Sequence, residues 1–129
     1  MVKHVEIVNK NGSILRGYLN LPDNFNGDIV VMFHGFTGNK TEHAKHFLNF
    51  SRIISEYGYA SLRMDFYGNG ESDGDFKDFT MDTLMSDAEI IINSAFNIQG
   101  VKKVTLLGFS MGGGVATYMS AKYGNKISK

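Results

Sequence analysis

Ser110 stands in Gly108-Phe109-Ser110-Met111-Gly112, a G-x-S-x-G pattern lying between an apolar run and an apparent helix. That setting suits a nucleophilic serine. A turn tight enough to lift a hydroxyl clear of a sheet leaves no room for side chains two residues to either side, and Gly108 and Gly112 remove them. The N–H of Met111 then opens the following helix, where the helix dipole favours a developing oxyanion. The chemistry expected is acyl transfer through Ser110. Two phosphate-binding readings of the same glycines fail. A dinucleotide fingerprint needs glycine where Ser110 stands, and a Walker loop needs lysine where Gly114 stands.

A second constellation, His34-Gly35-Phe36-Thr37-Gly38, directly follows the apolar run Ile29–Phe33. In a parallel sheet, a loop so placed lies at the carboxyl edge, on the side of the Ser110 turn. The second oxyanion donor of such a site is a backbone N–H from this loop. Phe36 is the candidate, with Gly35 and Gly38 giving the backbone room and the Phe36 ring a candidate wall of the acyl pocket. His34 is expected to brace the loop by hydrogen bonding rather than to act as the general base.

Placing these groups requires particular elements. Residues 3–8 and 13–20 alternate around Asn9–Gly12, a hairpin signal. Ile29–Phe33, residues 59–66 and Val104–Leu107 read as strands, the first apolar throughout, as a strand covered on both faces is, and the last buried. Between them fall a helix carrying Phe47, Phe50, Ile54 and Tyr57, capped by Asn39 or Thr41 and ended by Gly58, and a helix capped by Thr80 with Leu84, Ala88, Ile91 and Ala95 on one stripe. Residues 67–79 read as loop and Val115–Tyr123 as a third helix. A hairpin followed by strand–helix repeats favours a largely parallel sheet with helices on its faces.

The remaining candidates have plainer readings. Asp73, Asp75 and Asp78 lack the spacing of a calcium loop. Asp65, beside Arg63, is expected to anchor the 65–74 loop through hydrogen bonds and an ion pair. His43 and His46 have no third ligand placed to hold a metal, so neither a metal nor a cofactor is expected. With 13 basic and 13 acidic residues the 129-residue chain carries no formal net charge, which gives no footprint for nucleic acid or an anionic membrane. It has no cysteine, no apolar run of membrane-spanning length and a charged start, so a cytoplasmic protein is the default. Residues 1–129 are expected to belong to a single domain.

Taken in order and spacing, His34–Gly38, Arg63–Gly74 and Gly108–Gly113 resemble the α/β-hydrolase superfamily of serine hydrolases, and look most like its feruloyl/cinnamoyl esterase-like branch. The resemblance covers essentially the whole chain. It implies a three-layer αβα fold, with the first strand pairing antiparallel and the rest parallel, and the strand before Ser110 beside the strand before His34. It also implies a small-molecule carboxylic ester as substrate; peptidase, thioesterase and lipase remain open, because the pocket is largely built by an insertion beyond this point. The superfamily order is Ser, then Asp or Glu, then His, yet no Asp, Glu or His follows Ser110. The chain therefore reads as the N-terminal part of the fold with its later strands absent. It is expected to turn over little ester by itself and to leave residues 103–107 at an unpaired edge open to self-association or a complementing C-terminal half. The different-class alternative is a non-catalytic module that binds a partner chain.

Overall fold

The β1–β2 hairpin is built around one asparagine. In the computed structural model, which describes residues 1–42 and 45–129, β1 (Val2–Val8) and β2 (Ile14–Asn20) pair antiparallel from Val8 opposite Ile14 to Val2 opposite Asn20. The Asn9 side-chain oxygen accepts the N–H groups of Asn11 and Ser13 at 3.0 and 2.9 Å, and Gly12 turns the chain at a φ of 81°. An Asx-type bond of this kind substitutes for a backbone turn bond.

Three more strands complete the sheet: β3 (Asp28–Phe33), β4 (Ala60–Met64) and β5 (Lys103–Gly108). The spatial order is β1-β2-β4-β3-β5. β3 pairs parallel with both β4 and β5, so the strand before Ser110 lies beside the strand before His34. β2 pairs antiparallel with β4 as well as with β1, which makes β2 the reversed strand of the sheet.

Helices cover both faces, giving the three layers. On one face Ile29, Val31, Phe33, Leu62, Met64, Val104 and Leu106 pack against α2 (Met81–Phe96) and α3 (Met111–Tyr123). The α2 stripe read from the sequence is the buried one: Leu84, Ala88, Ile91 and Ala95 are each at most 2% exposed. On the other face Val30, Met32 and Leu107 meet Phe47 and Ile54 of α1 (His46–Glu56). Alternate residues of β3 thus enter two separate cores. That explains its unbroken apolar run, and each fully buried Leu- or Phe-sized side chain contributes about 1.5–3 kcal/mol.

Two local expectations change. Thr80 does cap α2, through a reciprocal pair of bonds with Thr83. Neither Asn39 nor Thr41 caps α1: its cap is Lys45, with a φ of 60°. The Asn39 side chain is spent on the Thr41 N–H at 2.9 Å, and the Lys40 N–H is drawn to Asp65, so the loop runs on before the helix starts. The α1 stripe is also narrower than its spacing suggested, because Phe50 and Tyr57 are exposed. His43 lies outside the described residues, and among those described no cluster of His, Cys, Asp and Glu could hold a metal.

The outer side of β5 is not wholly open either. Ile127 bridges Val104 in parallel, Ser128 donates to the Val104 carbonyl at 2.8 Å, and Leu106 donates to the Lys129 carbonyl at 2.7 Å. No helix among the described residues is long and apolar enough to cross a membrane.

Candidate active site

Ser110 sits where β5 ends and α3 begins, exposed, with φ 56° and ψ −116°. A non-glycine residue there holds backbone strain of about 1–3 kcal/mol, which persists only when its surroundings fix it. The surroundings do so through the two flanking glycines. A Cβ on Gly108 would collide with the carbonyl of Gly112, and one on Gly112 with the carbonyl of Phe33 at the end of β3. The turn is bolted to that strand by the Phe109 N–H, which donates to Phe33 at 3.1 Å. It is closed by the Gly113 N–H, which donates to the Ser110 carbonyl at 2.9 Å.

The 34–42 loop lies against this turn. A Cβ built on Gly35 would stand 3.3 Å from the Cβ of Ser110 and 3.1 Å from the carbonyl of Phe109. Among the described residues, neither the Phe36 N–H nor the Met111 N–H has a protein acceptor. The Phe36 ring is 59% exposed and meets Phe76 edge-on at 5.5 Å, and Phe76 stacks on Phe79 at 5.7 Å. Phe36 and Phe109 line a concavity with Thr37, Gly38, Asn39 and Glu42.

His34 is fully buried and both ring nitrogens are occupied. Nδ1 pairs with the Gly35 carbonyl at 2.9 Å, and Nε2 accepts the Phe66 N–H at 3.2 Å. That pairing makes the ring neutral, with the proton on Nδ1. Burial pushes its pKa below the ordinary imidazole value. So held, the ring joins the loop after β3 to the loop after β4 and has no nitrogen left to take a proton from Ser110.

Two carboxylates position the loop, one of which the sequence did not reveal. Glu42 accepts the Gly35 N–H at 2.6 Å from inside the curl of the loop, where Thr37 and Glu42 itself adopt φ near 63°. Nothing in the residue pattern marks Glu42, since its role depends on the loop folding back on itself. Asp65 does anchor the 65–74 loop, but its ion pair is with Lys40, not Arg63. Lys40 reaches Asp65 at 2.7 Å and Glu71 at 2.6 Å, while Arg63 lies over the Tyr18 ring at 5.1 Å and donates to the Lys40 carbonyl. The Arg63 guanidinium is engaged by that ring and carbonyl instead, and the Asp65 carboxylate is taken by Lys40 and the Glu71 N–H. Burial opposes the Lys40 charge, but the bonds to Asp65 and Glu71 outweigh it and hold its pKa above the ordinary value.

Asp73 also has a structural partner set. It accepts the Ile14 N–H and pairs with Arg16, both at 2.8 Å, and these bonds, the backbone one foremost, hold its pKa below the usual carboxylate value.

The same fold recurs in known structures. Est1E from Butyrivibrio proteoclasticus, solved with ferulic acid bound, superposes with a TM-score of 0.85 at 29% identity, over 95% of this chain and 49% of that one. The esterase Pf2001 from Pyrococcus furiosus gives 0.79 at 26% identity, over 98% and 49%. The α/β hydrolase GrgF from Penicillium sp. sh18 gives 0.82 at 24% identity, over 99% and 44%, and speaks to the fold alone. The chain thus spans about half the length of the solved structures it matches, corresponding to the N-terminal part of their fold. No curated protein matches it at a significant level. Residues 26–129 match the family described as serine aminopeptidase, S33, and on that match the chain belongs to this family of α/β hydrolases.

Proposed function

We propose that this chain carries the nucleophile and the oxyanion donors of a serine hydrolase that cleaves carboxylic esters. The observation carrying the proposal is the strained, exposed Ser110 held against the Gly35 loop. In this reading Ser110 Oγ attacks the ester carbonyl, and the N–H groups of Phe36 and Met111 receive the oxyanion. The alcohol leaves and water later releases the acid. His34, Gly35, Gly108 and Gly112 serve as supports. The base that takes the Ser110 proton, and the carboxylate that orients it, come from residues outside this sequence or from a partner polypeptide, because none follows Ser110 here. The exposed rings of Phe36, Phe76 and Phe109 favour an ester with a flat apolar acyl group, in keeping with the ferulic acid bound to Est1E.

The test is a fluorophosphonate probe with the adduct located by mass, applied to this chain and to any longer polypeptide that contains it. Adduct on Ser110 in the longer polypeptide, lost in Ser110→Ala, supports the reading. The chain alone is expected to show little turnover of an activated ester. Ester hydrolysis that survives Ser110→Ala at full rate in either form overturns the assignment.

A further inference from the structure

We propose that Asn11 is a site of spontaneous covalent modification, losing its side-chain amide to become aspartate and isoaspartate, and that this loosens the tie between the β1–β2 turn and α2. The chemistry needs an asparagine followed by a residue small enough for its backbone nitrogen to reach the side-chain carbonyl carbon. Three Asn-Gly pairs meet that condition, at residues 11–12, 26–27 and 69–70. The fold makes them unequal.

Asn11 and Gly12 are both exposed at the tip of the hairpin, and the Asn11 side-chain amide has no partner among the described residues. Asn26 is exposed too, but its side-chain oxygen accepts the Asp28 N–H at 2.9 Å and its own N–H donates to Gly58 at 2.8 Å. Gly27, its attacking neighbour, is buried. Asn69 is 5% exposed and donates its amide to the Tyr67 carbonyl at 3.1 Å. Rotating either of these side chains onto the next nitrogen breaks a bond already made. At Asn11 only the Gly12 N–H bond to the Asn9 carbonyl, 3.0 Å long, has to open, and it lies at a solvent-exposed loop tip where local opening costs least.

The step balances without any helper beyond water. The Gly12 nitrogen, having given its proton to solvent, bonds to the Asn11 side-chain carbonyl carbon. The bond from that carbon to the amide nitrogen breaks, and ammonia leaves with a proton from solvent. Water then opens the five-membered imide at one carbonyl or the other. Opening at the main-chain carbonyl yields isoaspartate, which adds a methylene to the backbone.

That added length falls where Asn9 holds the N–H groups of Asn11 and Ser13 on one oxygen. The other end of the Asn9 side chain donates to Asp87 of α2 at 3.2 Å, and Asp87, 1% exposed, takes the Tyr67 N–H on its second oxygen at 2.8 Å. A displaced Asn9 leaves that buried carboxylate with the Tyr67 N–H as its single partner among the described residues.

The test holds the full chain folded in mildly alkaline buffer, and separately in denaturing urea. All three Asn-Gly peptides are followed by mass spectrometry, with isoaspartate identified by an isoaspartyl methyltransferase. In the folded chain Asn11 is expected to convert at least about tenfold faster than Asn26 or Asn69, the scale of one anchored hydrogen bond, and in urea the three rates are expected to converge. If Asn26 or Asn69 keeps pace with Asn11 in the folded chain, or Asn11 survives there intact while converting in urea, the site is wrong. In the aged protein the Tyr67 amide is expected to exchange hydrogen faster, and in Asn11→Gln it stays protected. Unchanged protection after full conversion overturns the loosened tie.

Discussion

Replacing Asp65 with alanine removes the acceptor that joins the loop after β3, which lies against Ser110, to the loop after β4. Asp65 is fully buried and takes three bonds on its carboxylate: the Lys40 N–H at 2.7 Å, the Lys40 ammonium at 2.7 Å and the Glu71 N–H at 2.9 Å. Removing one partner of a buried ion pair costs about 3–5 kcal/mol, because the remaining charge stays desolvated. Glu71 offsets a little of this, but its side chain is 63% exposed and its attraction for Lys40 is screened. The two stranded N–H groups overlap with the same loss and are not added to it. Lys40→Met should cost less, because Asp65 keeps both backbone donors. A domain of this kind is stable by about 5–15 kcal/mol, so Asp65→Ala takes away at least about a fifth of it, and most of it if the domain sits at the low end of that range. Urea unfolding followed by circular dichroism reads the global loss, expected as a midpoint lower by about 1 M or more, and hydrogen exchange at Lys40 and Glu71 reads the local one. Adding Lys40→Met to Asp65→Ala should then cost little further. An Asp65→Ala protein within about 0.5 kcal/mol of the parent, with both amides still protected, would refute the reasoning.

Other expectations follow from single residues. Ser61 buries a hydroxyl with no partner among the described residues, so Ser61→Ala should raise stability by about 1 kcal/mol in the same urea assay. Ser110→Gly relieves the strained φ and should stabilise by about 1 kcal/mol, whereas Ser110→Ala should not; equal effects would remove the case for strain. Because burial lowers the His34 pKa, the folded chain binds fewer protons than the unfolded one. The stability contributed by neutral His34 is therefore complete above the ordinary imidazole value of about 6.5 and is lost as pH falls below it, toward the folded pKa. Unfolding midpoints measured down that range should show the slope in the parent and lose it in His34→Gln.

Much of this was legible because the signals are local. The asparagine-glycine turn, the threonine cap of α2 and its apolar stripe depend on neighbours within a few residues, and each appears where its pattern put it. The unbroken apolar run Ile29–Phe33 within β3 announced a strand covered on both faces. What stayed hidden depends on distant chain. Asp65 finds Lys40 across 25 residues, although Arg63 is its near neighbour in sequence. Glu42 turns inward only because the 35–38 curl leaves a hollow for it, and α1 starts late because Asn39 and Lys40 are engaged elsewhere. No periodicity carries such information. The Ser110 turn was readable for the opposite reason: its steric demand is written into five consecutive residues, even though one of the walls that enforces it, the Phe33 carbonyl, belongs to β3.

The strand order sets β1 at one rim of the sheet and residues 127–129 beyond β5 at the other. Five inter-strand steps of about 4.8 Å separate them, about 24 Å in all. Joining the two ends to make a circular permutant would require a linker that crosses the full width of the molecule. A force applied through those ends would load the ladders in turn, peeling the rims before it reached β3.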